Sequence, residues 1–422
     1  MKGCLHRAVI LLLCLSTLGI AKVCEASDES IRAEIAELKA RISQLEKKLN
    51  QQQEVVARQD EEIEGLKQAG ILPALEGINI GGGATFVVQG TIDANATGSK
   101  GEDVTDGSYS VDLELEKSFD NGGTFFIHLE GGEGNGVMDS DELDLFSGVN
   151  KDATGGDAKM ELAEVWYEHN FSDNLFVTFG KLDATCYFDT NSIANDETTQ
   201  FLADMFKNSP VLEFPDNGPG IRLGFLLAEK IELGLGFLDA NADWEDLGDD
   251  IFVIGQINFK PNLFQKEGNY RFYGWVNDTD HTRLLDSTRT KEEGYGFGLS
   301  FDQEFTDALI TFFRFGWQTD EVYNCDMSWS GGFQLTGEPW GRDEDVLGLA
   351  VGQLMPGDDY GKAGNPDHNE GHFEAYYNIY INENLSISPD LQVIWNPKGV
   401  GSSGQGRDDT IVILGVRTQI DF

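Results

Sequence analysis

Carboxylate, guanidinium and aromatic side chains recur along this chain, and they supply hydrogen-bond acceptors, hydrogen-bond donors and flat stacking surfaces. Such groups can bind a polar solute reversibly without any covalent step. We predict that one set of them lines a common aqueous space: the acceptors Asp112, Glu114, Glu164, Glu168, Asp196, Glu197, Glu374 and Asp390, the donors Arg222, Arg271, Arg314 and Arg417, and the stacking rings Trp166 and Tyr376. The competing interpretation is that the acids and arginines pair with one another and need no solute.

The segment 239–250 has oxygen-bearing side chains at the spacing of a calcium-binding loop. Positions 1, 3, 5, 7 and 12 of that pattern are Asp239, Asn241, Asp243, Glu245 and Asp250. The sixth position, where the pattern requires Gly, is Trp244, and the last ligand is Asp instead of Glu. This makes calcium a weak candidate, and a hydrated acidic loop is the default interpretation. The sequence predicts no other metal and no cofactor.

Sequence motifs of common hydrolases are missing from the chain. Neither Gly-x-Ser-x-Gly nor His-Glu-x-x-His occurs. The histidines beyond residue 26 fall on predicted strands or beside predicted loops, at His128, His169, His281, His368 and His372. The residue pattern therefore gives no reason to predict an enzyme.

Apolar and polar residues alternate along most of the chain after residue 80, which is the period of a β-strand. In the terminal segment 410–422, one face carries Val412, Leu414, Val416, Thr418, Ile420 and Phe422, and the other carries Ile413, Gly415, Arg417, Gln419 and Asp421. Acids recur on the inner face of successive segments, and a packed soluble core would not bury so many unpaired charges. The pattern favours a barrel closed inside a bilayer over a large soluble β-sandwich.

About fifteen or sixteen such segments can be counted, and outer-membrane barrels have even strand numbers in this range. The predicted fold class is therefore an all-β transmembrane barrel of about 16 antiparallel strands, preceded by an α-helical coiled-coil segment. A barrel of about this size encloses an aqueous channel. The segment 189–215 interrupts the alternation. We predict there a short helix that is capped by Asn195 and Asp196 and either enters the lumen or lies in an extracellular loop.

The first 70 residues predict an exported protein with a coiled coil. Lys2 and Arg7 precede an apolar run, and small residues follow it, which predicts a signal peptide over 1–26. Apolar residues then repeat with heptad spacing over 31–66, which predicts a coiled coil within 27–70. Such a coil would hold a homotrimer or, by the pairing of Ile and Leu layers, a dimer. A linker over 71–79 would lead into a barrel over 80–422.

Composition narrows the class further. The chain has 30 Lys and Arg against 73 Asp and Glu, a formal net charge of −43. This acidity argues against a nucleic-acid partner, because phosphate binding needs a basic face. It also predicts a preference for cations or neutral solutes over anions near a pore mouth. Cys186 and Cys325 remain after removal of the predicted signal peptide, and they could pair in an oxidising compartment.

Several segments together resemble the carbohydrate-selective porin family of the OprB type. They are residues 180–183, 188–191, 194–202, 208–210, 218–220, 374–377, 388–392 and 417–422. The resemblance covers the barrel from about residue 80 to the end and depends on no single motif. It implies a 16-stranded outer-membrane barrel that lets sugars diffuse into the periplasm, with the coiled coil on the periplasmic side.

The sequence thus predicts an outer-membrane porin for mono- or oligosaccharides, with outer-membrane lipid and carbohydrate solutes as its partners. A sugar carries hydroxyls around an apolar ring face, so acceptors and donors beside aromatic rings would suit it. Two alternatives stay open. One is a general cation-preferring porin. The other is a structural outer-membrane protein that is tethered by its coiled coil.

Overall fold

A computed structural model describes residues 77–96, 99–139, 143–153, 158–401 and 409–422, together with Lys39, Arg41, Lys47 and Lys48. Those four residues are helical and exposed. The predicted signal peptide and the rest of the predicted coiled coil lie outside the described residues. By its internal contacts the chain divides into two units, Met1–Glu76 and Gly77–Phe422. Every strand that the structure describes lies in the second unit.

Sixteen long strands make up this unit. In chain order they are β1 Ile78–Ile92, β2 Thr105–Ser118, β3 Gly123–Glu133, β4 Lys159–Ser172, β5 Leu175–Leu182, β6 Gly218–Ala228, β7 Ile231–Asp239, β8 Ile251–Phe259, β9 Lys266–His281, β10 Glu292–Glu304, β11 Leu309–Gln318, β12 Cys325–Gly337, β13 Arg342–Pro356, β14 Glu370–Asn382, β15 Leu385–Trp395 and β16 Thr410–Asp421. The two-residue strands are Asn95–Ala96, Ser99–Lys100 and Asn262–Leu263.

Helical segments are few and short in the described barrel. They are the α-helices Asp204–Lys207 and Asp358–Lys362 and the 3₁₀ turns Gly136–Asp139, Ala184–Cys186, Glu338–Trp340 and Pro397–Gly399. None of the helices in the described part of the chain has the length and apolarity needed to cross a membrane.

Each long strand pairs antiparallel with its neighbours in sequence, and the first pairs with the last. The β1–β16 register runs from Gly83 opposite Asp421 to Ile92 opposite Val412. Closure removes the exposed edges that an open sheet would present. The prediction of a closed antiparallel barrel of about 16 strands is confirmed.

The connections at the two ends of the barrel differ in length. Tight turns such as 173–174, 229–230 and 383–384 join strands at one end, whereas the other end carries long connections, among them 183–217. In outer-membrane barrels the short turns face the periplasm and the long loops face outward. The side chains follow the strand period. In β16, Leu414 and Val416 are 53% and 47% exposed on the outer face, while Ile411 and Ile413 are fully buried on the inner face.

Candidate functional site

The connection 183–217, here called the long inward loop, folds into the lumen instead of projecting from the barrel. Phe201, Met205 and Phe206 are buried within a cluster that includes wall side chains of β11 and β14. The ring of Phe201 lies 5.7 Å from that of Phe312 and 5.1 Å from that of Tyr376, centroid to centroid. The loop therefore packs against the inner wall and narrows the lumen.

Arg314 on β11 anchors this loop. Its guanidinium donates to the backbone carbonyls of Phe206, Asp189 and Ala194 at 2.6, 2.9 and 2.7 Å. It also lies 3.3 Å from the Asp189 carboxylate, which in turn accepts from the amide of Ser209 at 2.7 Å. The Arg314 and Asp189 side chains are 2% and 0% exposed. Arg314 faces inward, but it lies beneath the loop and not at an open passage.

The wall strands β14 to β16 hold the same loop from another side. The Glu374 carboxylate accepts from the amides of Leu202 and Ala203 at 2.7 and 3.0 Å. Arg417 donates to the carbonyls of Glu197 and Gln200 at 2.6 and 2.8 Å. These contacts place Glu374 and Arg417 behind the loop as well.

Tyr376 and Asp390 belong to the same buried wall. Tyr376 is 2% exposed, and its hydroxyl is hydrogen-bonded to Gln334. Asp390 is 7% exposed and accepts from the Gln392 amide at 2.9 Å. Of the side chains predicted to line the channel, Arg314, Glu374, Tyr376 and Arg417 therefore contact the long inward loop, and Asp390 is buried in the same wall.

The helix predicted in this loop is shorter than expected and begins later. It spans Asp204–Lys207 after Ala203, which makes no side-chain cap. Asp196 closes a local turn instead, by accepting from the amide and hydroxyl of Thr198 at 2.8 and 2.7 Å. The physical reason is that the Glu374 carboxylate accepts hydrogen bonds from the amides of Leu202 and Ala203. The barrel wall therefore fixes this part of the backbone.

A second stretch, residues 143–153, here called the short inward loop, also enters the lumen. Glu370 at the start of β14 accepts from the amides of Phe146, Ser147 and Lys398 at 2.8, 2.7 and 2.7 Å, and from the Ser147 hydroxyl at 2.7 Å. Sequence reasoning missed Glu370. The available signal was its position, because Glu370 and Glu374 are four residues apart and share the inner face of one strand.

Glutamine side chains complete this anchorage. Gln89 of β1 and Gln392 of β15 each donate to the carbonyl of Val149 at 2.9 Å. His372 bridges Ser147 and Gln392 at 2.9 and 3.1 Å. These residues were also missed, and they tie three separate wall strands to one loop.

Two neighbouring cavities lie among the described residues of the interior. The first, the acidic cavity, has a volume of about 610 Å³. Its lining includes nine carboxylates, from Asp112, Glu114, Glu130, Asp152, Glu164, Asp183, Asp196, Glu197 and Asp421, against two lysines, Lys151 and Lys207. Five of the predicted lining residues thus meet here. The excess of negative charge favours cations in this space.

Burial and a neighbouring carboxylate shift the pKa values of two loop residues at this cavity. Burial raises the pKa of Asp152 to about 7. Burial alone would lower the pKa of Lys207, but the Glu197 carboxylate at 2.6 Å outweighs it and the pKa is raised. Lys207 therefore stays charged and offsets part of the negative field.

The second cavity, the arginine cavity, has a volume of about 350 Å³. The Arg222 guanidinium lies between two rings, 4.6 Å from the centroid of Phe176 and 4.3 Å from that of Tyr187. Polar and charged side chains complete the lining, including Arg271, Glu232, Asn258, Asn269, Gln256 and Lys260. Cys186 lines both cavities, so they adjoin each other.

Of the three remaining predicted residues, Arg271 lines the arginine cavity, whereas Glu168 and Trp166 line neither cavity. Glu168 accepts from Arg222 at 3.5 Å and from Thr178 at 2.7 Å. Arg271 lines the arginine cavity and also pairs with Asp302 at 2.6 Å. Trp166 stacks on Phe126 at 4.8 Å and lines neither cavity.

The calcium-spaced residues hydrogen-bond locally, to one another and to nearby backbone amides. Asn241 donates to Asp250 at 2.8 Å, and Asp239 and Asp243 accept from the amides of Trp244 and Glu245 at 3.3 and 2.8 Å. Trp244 itself has a positive φ of 66°. These oxygens close local turns.

The two described cysteines, Cys186 and Cys325, are both free, so the structure does not contain the disulfide considered from the sequence.

A closed sixteen-stranded barrel with an apolar outer face, a polar interior and an inward-folded loop defines a porin-type channel of the outer membrane. Residues 103–422 match the family described as "Carbohydrate-selective porin, OprB family". The chain belongs to this family, whose members are channel proteins.

Individual relatives are distant. Pseudomonas putida OprB superposes with a TM-score of 0.72 at 16% identity, covering 85% of this chain and 97% of that one, and this likeness shows the fold. An uncharacterized protein of Aquifex aeolicus is 28% identical over 51% of this chain and 58% of its own length. Porin AaxA of Chlamydia abortus is 23% identical over 56% of this chain and 53% of its own length. The chain thus spans just over half the length of these curated relatives.

Proposed function

We propose that this outer-membrane channel passes carbohydrates into the periplasm by passive or facilitated diffusion. The observation that carries the proposal is the arginine cavity, where Arg222 lies between the rings of Phe176 and Tyr187. The guanidinium and amide groups of this lining suit the hydroxyls of a sugar, and the aromatic side chains beside them supply apolar surface. The family description supports the same solute class. Weak binding is what transport requires, because the solute must also leave.

The assembly is part of the proposal. We propose a homotrimer that is joined by a periplasmic coiled coil over residues 31–66. The support is the heptad spacing of that segment.

The test of sugar transport is solute entry into liposomes that contain the purified protein. We expect glucose or a disaccharide to enter faster than size-matched neutral non-sugars, and entry to saturate with concentration. Arg222→Ala should raise the half-saturating concentration about tenfold, since losing one stacked, hydrogen-bonding cation costs about 1–2 kcal/mol.

A matched control is Arg283→Ala. Arg283 pairs with Glu321 and lines neither cavity, so sugar entry should keep its wild-type concentration dependence. Equal entry of sugars and non-sugars in the wild type would refute sugar selectivity. No entry at all from correctly folded barrels would favour the structural, tethered protein.

A general cation-preferring porin is the second candidate, and the acidic cavity favours it. Glu114 lines that cavity and is exposed. Glu114→Lys should lower the cation-to-anion permeability ratio about threefold to tenfold, because a charge ~5 Å from a passing ion contributes about 1 kcal/mol in water. The measurement is the reversal potential across a planar bilayer under a salt gradient.

The control for this test is Asp246→Lys, which makes the same charge change in the connection 240–250 outside the acidic cavity. Its reversal potential should match the wild type. If Glu114→Lys leaves the ratio unchanged, the acidic cavity does not set ion preference.

A further inference from the structure

Within the acidic cavity, three potential metal ligands come together on two adjacent strands. Asp112 of β2 stands directly opposite Glu130 of β3 in the register, and His128 lies two residues before Glu130 on the same face. The Asp112 carboxylate is 2.8 Å from His128 Nε2. One ligand atom from each of the three side chains lies within 4.8 Å of the others. Of the described residues, no other group of His, Cys, Asp or Glu side chains meets this condition.

A fourth carboxylate at the same cavity has an unmet oxygen. Asp152 of the short inward loop is 6% exposed. One of its oxygens accepts from the Ser110 hydroxyl at 2.8 Å, and the other, Oδ2, is buried and finds no donor among the described residues. A buried acceptor without a partner is costly. This orphaned oxygen adds an unmet acceptor at the same cavity, and a nearby cation would offset part of its cost.

We propose that Asp112, His128 and Glu130 bind a divalent first-row metal ion of the Zn²⁺ type, with Asp152 on the lining of the same cavity. Imidazole nitrogen with carboxylate oxygens is a ligand set that Zn²⁺ accepts, whereas Ca²⁺ takes oxygen ligands. Metal binding would release to solvent the Nε2 proton that His128 donates to the Asp112 carboxylate, and the freed Nε2 lone pair would bind the ion. All three ligands stand on two paired strands, whose register fixes their backbone positions relative to one another.

The consequence for the channel is local and electrostatic. A bound divalent cation would neutralise two of the nine cavity carboxylates and occupy part of the 610 Å³ space. Cation conductance should then fall when micromolar Zn²⁺ is added. This site is separate from the arginine cavity. The metal-binding proposal can therefore fail while the sugar-transport proposal holds, and the sugar-transport proposal can fail while metal binding holds.

The test uses the purified full-length protein in detergent, with ZnCl₂ as the titrant in calorimetry. We expect one saturable Zn²⁺ site per barrel in the wild type and at least tenfold weaker binding in His128→Gln. His281→Gln is the matched control, since His281 contacts Glu213 outside the acidic cavity, and it should bind Zn²⁺ as the wild type does. In planar bilayers, Zn²⁺ should lower the conductance of the wild type and of His281→Gln only.

Folding is checked by heat-modifiable migration on gels, and Glu130→Gln provides a second variant of nearly unchanged volume. Weakened Zn²⁺ binding in both folded variants supports the site. Wild-type protein that binds Zn²⁺ no better than His128→Gln overturns it and leaves Asp112 and His128 as a simple ion pair. Equal loss in His281→Gln would overturn it as well, because the metal would then lie elsewhere.

Discussion

Replacing Arg314 by Met should release the long inward loop into solution and raise single-channel conductance. Arg314 is the buried partner of three loop carbonyls and of the Asp189 carboxylate. Removing one partner of a buried ion pair costs about 3–5 kcal/mol, because the other charge is left without compensation. Asp189 can regain hydration only if the loop leaves the wall, so the loss of Arg314 favours release of the loop.

A local readout distinguishes loop release from general unfolding. The side chain of Lys207 in this loop is 13% exposed, so trypsin should spare the bond after it in the wild type. In Arg314→Met we expect cleavage after Lys207 while the barrel keeps its heat-resistant gel mobility. Mass spectrometry of the fragments and bilayer recordings check the two effects.

The matched control for this prediction is Arg289→Met. The Arg289 side chain is 51% exposed and pairs with Glu292 at the mouth, and exposed pairs contribute about 0–1 kcal/mol. It should change neither conductance nor cleavage. Wild-type conductance and no cleavage after Lys207 in Arg314→Met would mean that the packing of Phe201 and Phe206 alone holds the loop.

The barrel could be predicted from sequence because its signal is local. In β16 each residue's face follows from its immediate neighbours, and Leu414, Val416 and Ile420 do stand on the outer face. Period-two alternation repeated to the end of the chain needs only strand geometry and a lipid environment. Local patterning also assigns the inner face of a strand such as β11 to Arg314.

Local alternation could not predict which part of the chain covers an inward-facing side chain. The partners of Arg314, Glu374 and Glu370 are 125, 172 and 223 residues away along the chain. Alternation cannot distinguish a side chain that meets open water from one covered by a folded-in loop. The same distance explains the misplaced helix, since Asn195 and Asp196 have good capping chemistry but Glu374 holds the amides downstream.

Replacing Glu370 by Ala should detach the short inward loop and destabilise the protein more than any exposed acid would. Glu370 is fully buried and satisfies three amides and one hydroxyl. Charge-assisted bonds contribute about 1.5–3 kcal/mol each. The loss is partly offset because the buried charge itself disappears, so we expect the free energy of unfolding to fall by about 4 kcal/mol. Glu370→Gln should lose less stability, since the side-chain carbonyl of Gln still accepts hydrogen bonds.

The measurements are the free energy of unfolding in detergent and trypsin cleavage after Lys151 of the short inward loop. Glu344→Ala is the control, since Glu344 is exposed near the start of β13, and it should behave as the wild type. Equal stability of Glu370→Ala and Glu344→Ala would show that the cost of burying the Glu370 charge is as large as the stabilisation from its hydrogen bonds.

The two inward loops should also act as one unit, because they bond to each other. The amide of Lys151 donates to the carbonyl of Leu202 at 2.9 Å, and the amide of Asp204 donates to the carbonyl of Gly148 at 3.3 Å. Arg314 and Glu370 therefore each restrain both loops. When one of these anchors is lost, the other stabilises less of the remaining structure. The double variant Arg314→Met/Glu370→Ala should lose less stability than the sum of the single losses, by about 0.5–3 kcal/mol. Strict additivity would instead mean that each loop is held by its own wall contacts, and the lumen would then be narrowed by two independent elements.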